Sequence, residues 1–345
     1  MDVDALLSRV RARQPAALAR AISLVENNRP GFENLLAGLH RHLGHARRIG
    51  ITGPPGAGKS TLTEQLVAAY RGQGLTVAVV AVDPTSPFTG GALLGDRIRM
   101  ESVALDPGVF IRSMATRGSL GGLAMATGEV CDLLDGAGFD RILVETVGVG
   151  QSELDVSRLA DSTVLVLVPE SGDGIQTLKS GVMEVADLFV VNKADRSGAE
   201  RLRQEIEVTL GIRRGNAFRH VRAHHGAAGG RGAPARVAAV ADGAWEHPVV
   251  LTVAAKGEGV GTLVDRLEAH HGWLAASGVL RERRRARVAQ RTRDVLARAA
   301  LRWLWDEAGA AKLVEDRLDA LAQGRLSPYE LAGELVDGLR QGERV

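Results

Sequence analysis

Cross-links, strong charge and long apolar runs are all nearly absent from this chain. Its 345 residues include one cysteine, Cys131. That excludes a disulfide framework and a Cys-rich zinc site, and suits a reducing compartment. No uninterrupted run approaches ~18 apolar residues, so no membrane-spanning segment is expected. The formal net charge is +2, too small to imply nucleic-acid or membrane binding. The start, Met1 to Leu7, has neither the basic-then-apolar plan of a signal peptide nor the acid-poor look of a transit peptide, so a cytoplasmic protein is expected. Lysine is scarce too. Of 43 Lys and Arg, only Lys59, Lys179, Lys193, Lys256 and Lys312 are lysine, so each is worth locating. What the chain does have is 45% hydrophobic residues against 24% charged, enough to bury a core. Its length fits one large α/β domain with extensions, or two ordinary domains.

The pattern divides into three zones. Residues 1–45 read as short amphipathic helices. Pro15 and Pro30 suit first-turn positions, and Phe32, Leu35, Leu36, Leu39 and Leu43 share one face at helical spacing. Residues 46–275 alternate short apolar runs with helical stretches. The runs 49–52, 77–82, 142–146, 164–168, 188–191 and 249–253 are nearly continuous, as strands buried on both faces are. An α/β fold with a mainly parallel central sheet flanked by helices is expected there, with helical extensions at both ends. Residues 276–345 return to helix: Ser327-Pro328-Tyr329-Glu330 has the form of a capping box with proline at the first helical position. The seven arginines of 281–293 suit a solvated or partner-facing helix. Residues 211–243, rich in Gly, Ala, Arg and His without a period, read as a surface insertion, and His220, His224 and His225 within it as solvated.

The most specific motif is Gly53-Pro54-Pro55-Gly56-Ala57-Gly58-Lys59-Ser60, followed by Thr61. It fits G-x-x-x-x-G-K-[ST], with the run 49–52 before it and a helical pattern over 60–70 after it. Glycines let backbone N–H groups converge on phosphate oxygens, and a helix N-terminus adds partial positive charge. Lys59 would reach the β- and γ-phosphates, and the Ser60 hydroxyl would ligate Mg2+. This is the signature of a P-loop nucleoside triphosphatase.

Asn192-Lys193-Ala194-Asp195 closes the run 188–191. In P-loop GTPases such an N-K-x-D lets the Asp accept from the ring N–H and the exocyclic amine of guanine, while the lysine stem packs over the ring. Adenine lacks that paired donor edge and would leave the carboxylate desolvated without a partner. Ala254-Ala255-Lys256 follows the last run, where a loop amide can meet the guanine carbonyl oxygen. GTP is expected over ATP. Glu145-Thr146-Val147-Gly148 matches [DE]-x-x-G, in which an acid lies near Mg2+ and a glycine N–H meets the γ-phosphate. Val149 stands where a water-positioning glutamine is common, with Gln151 near. Asp83 and Asp96 are further carboxylates in switch-like loops, equally readable as turn or cap residues.

On these residues the chain resembles the MeaB/ArgK/MMAA GTPases, which act on cobalamin-dependent acyl-CoA mutases. The resemblance rests on 53–60, Ala81-Val82-Asp83-Pro84, the strings 95–100 and 117–122, the highly specific 145–153, and 192–195. It implies carboxylates at Asp83, Asp96 and Glu145 around Mg2+. It also implies a third mobile loop, 170–179, in which Asp173 and Lys179 engage the nucleotide region when the mutase docks. Relatives commonly carry an acid where this chain has Gly174. From charge and composition no nucleic-acid partner is expected. The resemblance further implies a homodimer through the C-terminal helices and GTP hydrolysis that gates cofactor loading or protection of a methylmalonyl-CoA mutase-type enzyme. The missing glutamine and the lack of an evident arginine finger imply slow hydrolysis by the protein alone. A metallochaperone-type GTPase and a P-loop small-molecule kinase are the alternatives.

Overall fold

The computed structural model describes residues 2–83, 100–115, 120–146, 152–169, 182–213 and 244–340. All but the first three residues of the expected insertion lie outside them. Seven strands form one parallel sheet in the order β3-β2-β4-β1-β5-β6-β7. They are β1 (Arg47–Thr52), β2 (Val77–Asp83), β3 (Val109–Ala115), β4 (Arg141–Thr146), β5 (Ser162–Leu167), β6 (Leu188–Val191) and β7 (Val249–Leu251).

Side chains alternate across a strand, and here both faces are covered. Val77, Val79, Leu143, Val164 and Val166 pack with Leu62, Leu66 and Tyr70 of the helix Lys59–Gly72 and with Leu263 and Leu267 of the helix Val260–Ser277. Their neighbours Ala78, Val80, Val82, Ile142 and Val144 face the other way, onto Leu133 and Leu134 of the helix Leu120–Gly136. Leu18, Ile22 and Leu35 from the N-terminal helices join that same cluster. The N-terminal helices therefore share a core with the sheet.

Six strands follow the apolar runs; β3 does not. Among the described residues it pairs only with β2, at the sheet edge, and residues 109–113 are half-buried. An edge strand needs no continuous apolar run, and Arg112 within it pairs with Glu26 of the helix Pro15–Glu26. Pro15 opens that helix as expected. Pro30 does not sit in a first turn: the helix Phe32–Leu39 starts after Gly31, whose φ of 93° makes it the cap, so Pro30 lies outside.

Two buried polar clusters fasten the strand entries. Asp135 accepts from the backbone N–H groups of Gly44, His45 and Ala46 at 2.9, 3.1 and 2.9 Å and from Arg48 at 3.1 Å, fixing the approach to β1. At the amino ends of β5 and β6, Arg283 donates to both oxygens of Asp187 (2.8 and 3.0 Å) and to the Asp161 carbonyl (2.8 Å). His270, fully buried, lies 2.8 Å from Ser162 Oγ through Nδ1 and 3.5 Å from Asp187 Oδ1 through Nε2. Burial pushes the His270 pKa down to about 4 against the pull of Asp187.

The chain divides into two compact units, Met1–Arg283 and Arg284–Val345. In the second, the capping box closes as its sequence implies. Ser327 N donates to Glu330 Oε2 at 2.8 Å and Glu330 N to Ser327 Oγ at 3.1 Å, opening the helix Pro328–Arg340. Among the described residues no helix is long and apolar enough to cross a membrane.

Candidate nucleotide site

The candidate residues gather at the carboxyl ends of the strands. There β1 separates β4, β2 and β3 on one side from β5, β6 and β7 on the other, the crevice where open α/β sheets bind ligands. After Thr52 the chain turns at Gly53, with φ of 139°; a Cβ there would lie 2.1 Å from the Val166 carbonyl oxygen of β5. Gly58, with φ of 84°, caps the helix Lys59–Gly72, and a Cβ on it would lie 2.4 Å from Asn192 Nδ2. Both glycines are thus required by conformation and by space. Pro54, Pro55, Gly56 and Ala57 complete the loop, and Thr61 sits half-buried in the first helical turn. Gly58 has no side chain with which to cap that helix, and among the described residues no side-chain cap is formed; uncapped first-turn amides are what an anion site uses.

Lys59 is 6% exposed, and its ammonium donates to the Gly53 and Pro54 carbonyls at 2.8 and 2.9 Å. It spans its own loop. Glu145, 5% exposed, pairs in register with Ile51 of β1, and its Oε1 accepts from Ser60 Oγ at 2.6 Å. A hydroxyl and a carboxylate therefore meet beside the loop. Asp83 ends β2, one residue past the Val82–Thr146 register pair. Its side chain, with Asp96, Gly148, Gln151, Asp173, Gly174 and Lys179, lies outside the described residues.

On the other flank Asn192 joins three loops. Its Nδ2 donates to the Ala57 carbonyl at 2.8 Å, and its Oδ1 accepts from Thr252 Oγ1 at 3.1 Å and from Ala254 N at 3.0 Å. Lys193 holds a left-handed φ of 56° and donates to the Gly56 carbonyl at 2.8 Å. Asp195 stands exposed beyond it, with Lys256 Nζ at 3.6 Å from Oδ2. Ala255 and Lys256 are exposed on the short 3-10 turn Ala254–Lys256. The phosphate-loop and base-loop residues, from Gly53 to Thr61, Glu145, Asn192, Lys193, Asp195 and Ala254 to Lys256, are thus brought to one crevice.

Three threonines were not foreseen. The buried hydroxyls of Thr52 and Thr146 meet at 3.1 Å between β1 and β4, directly before the phosphate loop and directly after Glu145. Thr252 steadies Asn192. A hydroxyl at or near the carboxyl end of a strand run was the available signal.

A phosphate-binding loop wired through an N-K-x-D asparagine to an A-A-K turn, on a parallel sheet, defines a P-loop GTPase. The chain belongs to the family described as methylmalonyl Co-A mutase-associated GTPase MeaB, whose model matches residues 18–308. It is 42% identical over 335 residues to a protein of Pyrococcus horikoshii that bears the name of a GTPase, covering 97% of this chain and 98% of that one. It is 35% identical over 299 residues to the mitochondrial methylmalonic aciduria type A homolog of Mus musculus, covering 82% and 66%. Its fold is similar to the crystal structure of an LAO/AO transport system kinase, with a TM-score of 0.63 and 26% identity over 98% and 97% of the two chains. The chain is a GTP hydrolase of this family.

Proposed function

We propose that this GTPase gates cobalamin cofactor loading, or protects the loaded cofactor, on a cobalamin-dependent acyl-CoA mutase of the methylmalonyl-CoA mutase type. The partner class is supported by the family description, which speaks of association with methylmalonyl Co-A mutase. The guanine preference is supported by the Asn192 bridge, whose hydrogen bonds to the Ala57 carbonyl and the Ala254 amide tie the turn that carries Asp195 to the phosphate loop and to the turn Ala254–Lys256.

In this reading the loop amides and the Lys59 ammonium bind the phosphates, and Lys59 neutralises the charge that builds on them as water attacks the γ-phosphoryl group. Ser60 and Glu145 fit Mg2+: a hydroxyl and a carboxylate 2.6 Å apart are the hard oxygen donors that ion takes. Asp83 and Asp96 are the further candidates. Bound there, the ion would supply positive charge against the phosphates, with Ser60 and Glu145 as its oxygen donors. Asp173 and Lys179 would respond to the docked mutase. The C-terminal helices, from 276 on, would form a homodimer arm in the cytoplasm. The helix Val279–Asp306 buries no residue and exposes Leu296, Leu301, Trp303 and Trp305.

The test is GTP hydrolysis alone and with a panel of cobalamin-dependent acyl-CoA mutases. One member of the panel is expected to accelerate turnover. If none does, the partner assignment fails while the GTPase reading stands.

A further inference from the structure

We infer that Thr52 and Thr146 are positioning residues for GTP hydrolysis, their hydroxyl pair holding Glu145 at a fixed place beside the phosphate loop. The inference rests on Glu145 acting next to the phosphates. Thr52 ends β1 directly before Gly53, and Thr146 ends β4 directly after Glu145; both are fully buried. Thr146 Oγ1 donates to Thr52 Oγ1 at 3.1 Å.

The place of this bond in the sheet decides what it does. Backbone register between β1 and β4 ends at Ile51–Glu145, one residue earlier. Past that point each strand keeps only its other neighbour: Thr52 registers with Leu165 of β5, and Thr146 with Val82 of β2. The seam between β1 and β4 therefore opens where the phosphate loop and Glu145 stand. The chain also leaves the seam toward opposite faces. After β1 it enters the helix Lys59–Gly72, whose Leu62 packs with Ile51; after β4 it returns as the helix Ser152–Leu159, whose Val156 packs with Val144 on the other face. That second helix is pressed onto β1, since a Cβ on Gly50 would lie 2.4 Å from Val156 Cγ1 and 3.1 Å from Ala160 Cβ.

Side-chain bonds cross the open seam on both faces. Glu145 Oε1 accepts from Ser60 Oγ on the face of the helix Lys59–Gly72, and the threonines meet on the face behind it. The threonine bond lies away from the nucleotide side and need not be given up when the loop fills. Valine would fill the same space, and this chain uses it elsewhere in these strands, as at Val82, Val144 and Val166. Two buried hydroxyls in its place require the bond that satisfies them. Valine contacts set no direction, whereas a hydroxyl pair fixes both the distance and the direction between two strand ends.

The experiment compares Thr52→Val, Thr146→Val and the double variant of the full chain for single-turnover GTP hydrolysis at saturating protein, GDP affinity and thermal midpoint. Each single variant should hydrolyse GTP about fivefold more slowly, the worth of one neutral hydrogen bond, with its GDP dissociation constant within about twofold of the parent. Thr146→Ser keeps the donor and should retain most of the parent's rate. The midpoint separates positioning from folding. Each single variant strands a buried hydroxyl and lowers it; the double variant, apolar on both sides, should bring it back near the parent while hydrolysis stays slow. Hydrolysis that recovers with the midpoint in the double variant would overturn the role given to the pair. So would a parental rate in the single variants, equal losses of rate and GDP affinity, or a Thr146→Ser protein as slow as Thr146→Val. Glu145→Gln is the control: a parental rate there would overturn the placing of Glu145 in the reaction, and this inference with it.

Discussion

Replacing Asn192 with alanine should loosen the whole crevice at once. The side chain is 2% exposed and makes three hydrogen bonds of 2.8–3.1 Å to the phosphate loop and to the segment after β7. Deleting the amide removes its bond to the Ala57 carbonyl and deprives the Ala254 amide of its acceptor, in a region closed to water. Each net bond is worth about 1 kcal/mol and each stranded buried group about 1–3 kcal/mol, so the total loss should be about 2–4 kcal/mol. For a domain of this size that corresponds to a Tm lower by roughly 5–10 °C. The nucleotide-free protein should be measured by calorimetry or circular dichroism, because bound nucleotide adds its own stabilisation. The same variant should bind GDP weakly, since the space beside Gly58 is bounded by this amide, 2.4 Å from a Cβ position there. A Tm within about 1 °C of the parent would show that the bridge does not hold the loops together.

Two further outcomes follow from buried charge. Lys59→Arg should lower GTP turnover by roughly a hundredfold or more, because a guanidinium does not fit where an ammonium sits between two carbonyls at 2.8 and 2.9 Å. Lys312→Arg, on an exposed helical position, should leave turnover as it was; equal activity of both variants would refute the reading of Lys59. Acid should destabilise the protein through His270, whose pKa is pushed down to about 4 from 6.5 by burial. The folded state favours the neutral ring, so this contribution is complete above pH 6.5 and is lost as pH falls toward 4, up to ~3 kcal/mol. Denaturation midpoints across that range should flatten in His270→Gln, and a slope shared by variant and parent would exclude His270 as its source.

The sheet was legible where burial on both faces forces apolar runs, as along Val77–Asp83 and Ser162–Leu167. It was not legible at β3, whose one-sided pairing lets Arg112 and Ser113 stand in a strand. The N-terminal helices were readable from their periodicity, but the face they cover was not. Leu18, Ile22 and Leu35 reach Leu133 and Val144 only through the fold. The same holds for His270. Ser162, Asp187, His270 and Arg283 are ordinary residues far apart in the chain, and only the juxtaposed ends of β5 and β6 turn them into one buried cluster.

The lysines of the crevice were legible for a reason that composition alone conceals. A surface cation can be arginine or lysine at little cost, and this chain nearly always takes arginine. A cation that must enter a turn of carbonyls cannot, because a planar fork brings five N–H donors in fixed directions, whereas an ammonium is compact and its donors rotate. Lys59, 6% exposed, meets two carbonyls inside its own loop, and Lys193 meets a third at Gly56. Point charges of this kind can exchange a carbonyl for a phosphate oxygen, or sit against a base, with little rearrangement of the loop that holds them. Scarcity therefore carried information here. Where arginine is the default, a lysine marks a place where the charge has to be small, and three of the five stand around one opening.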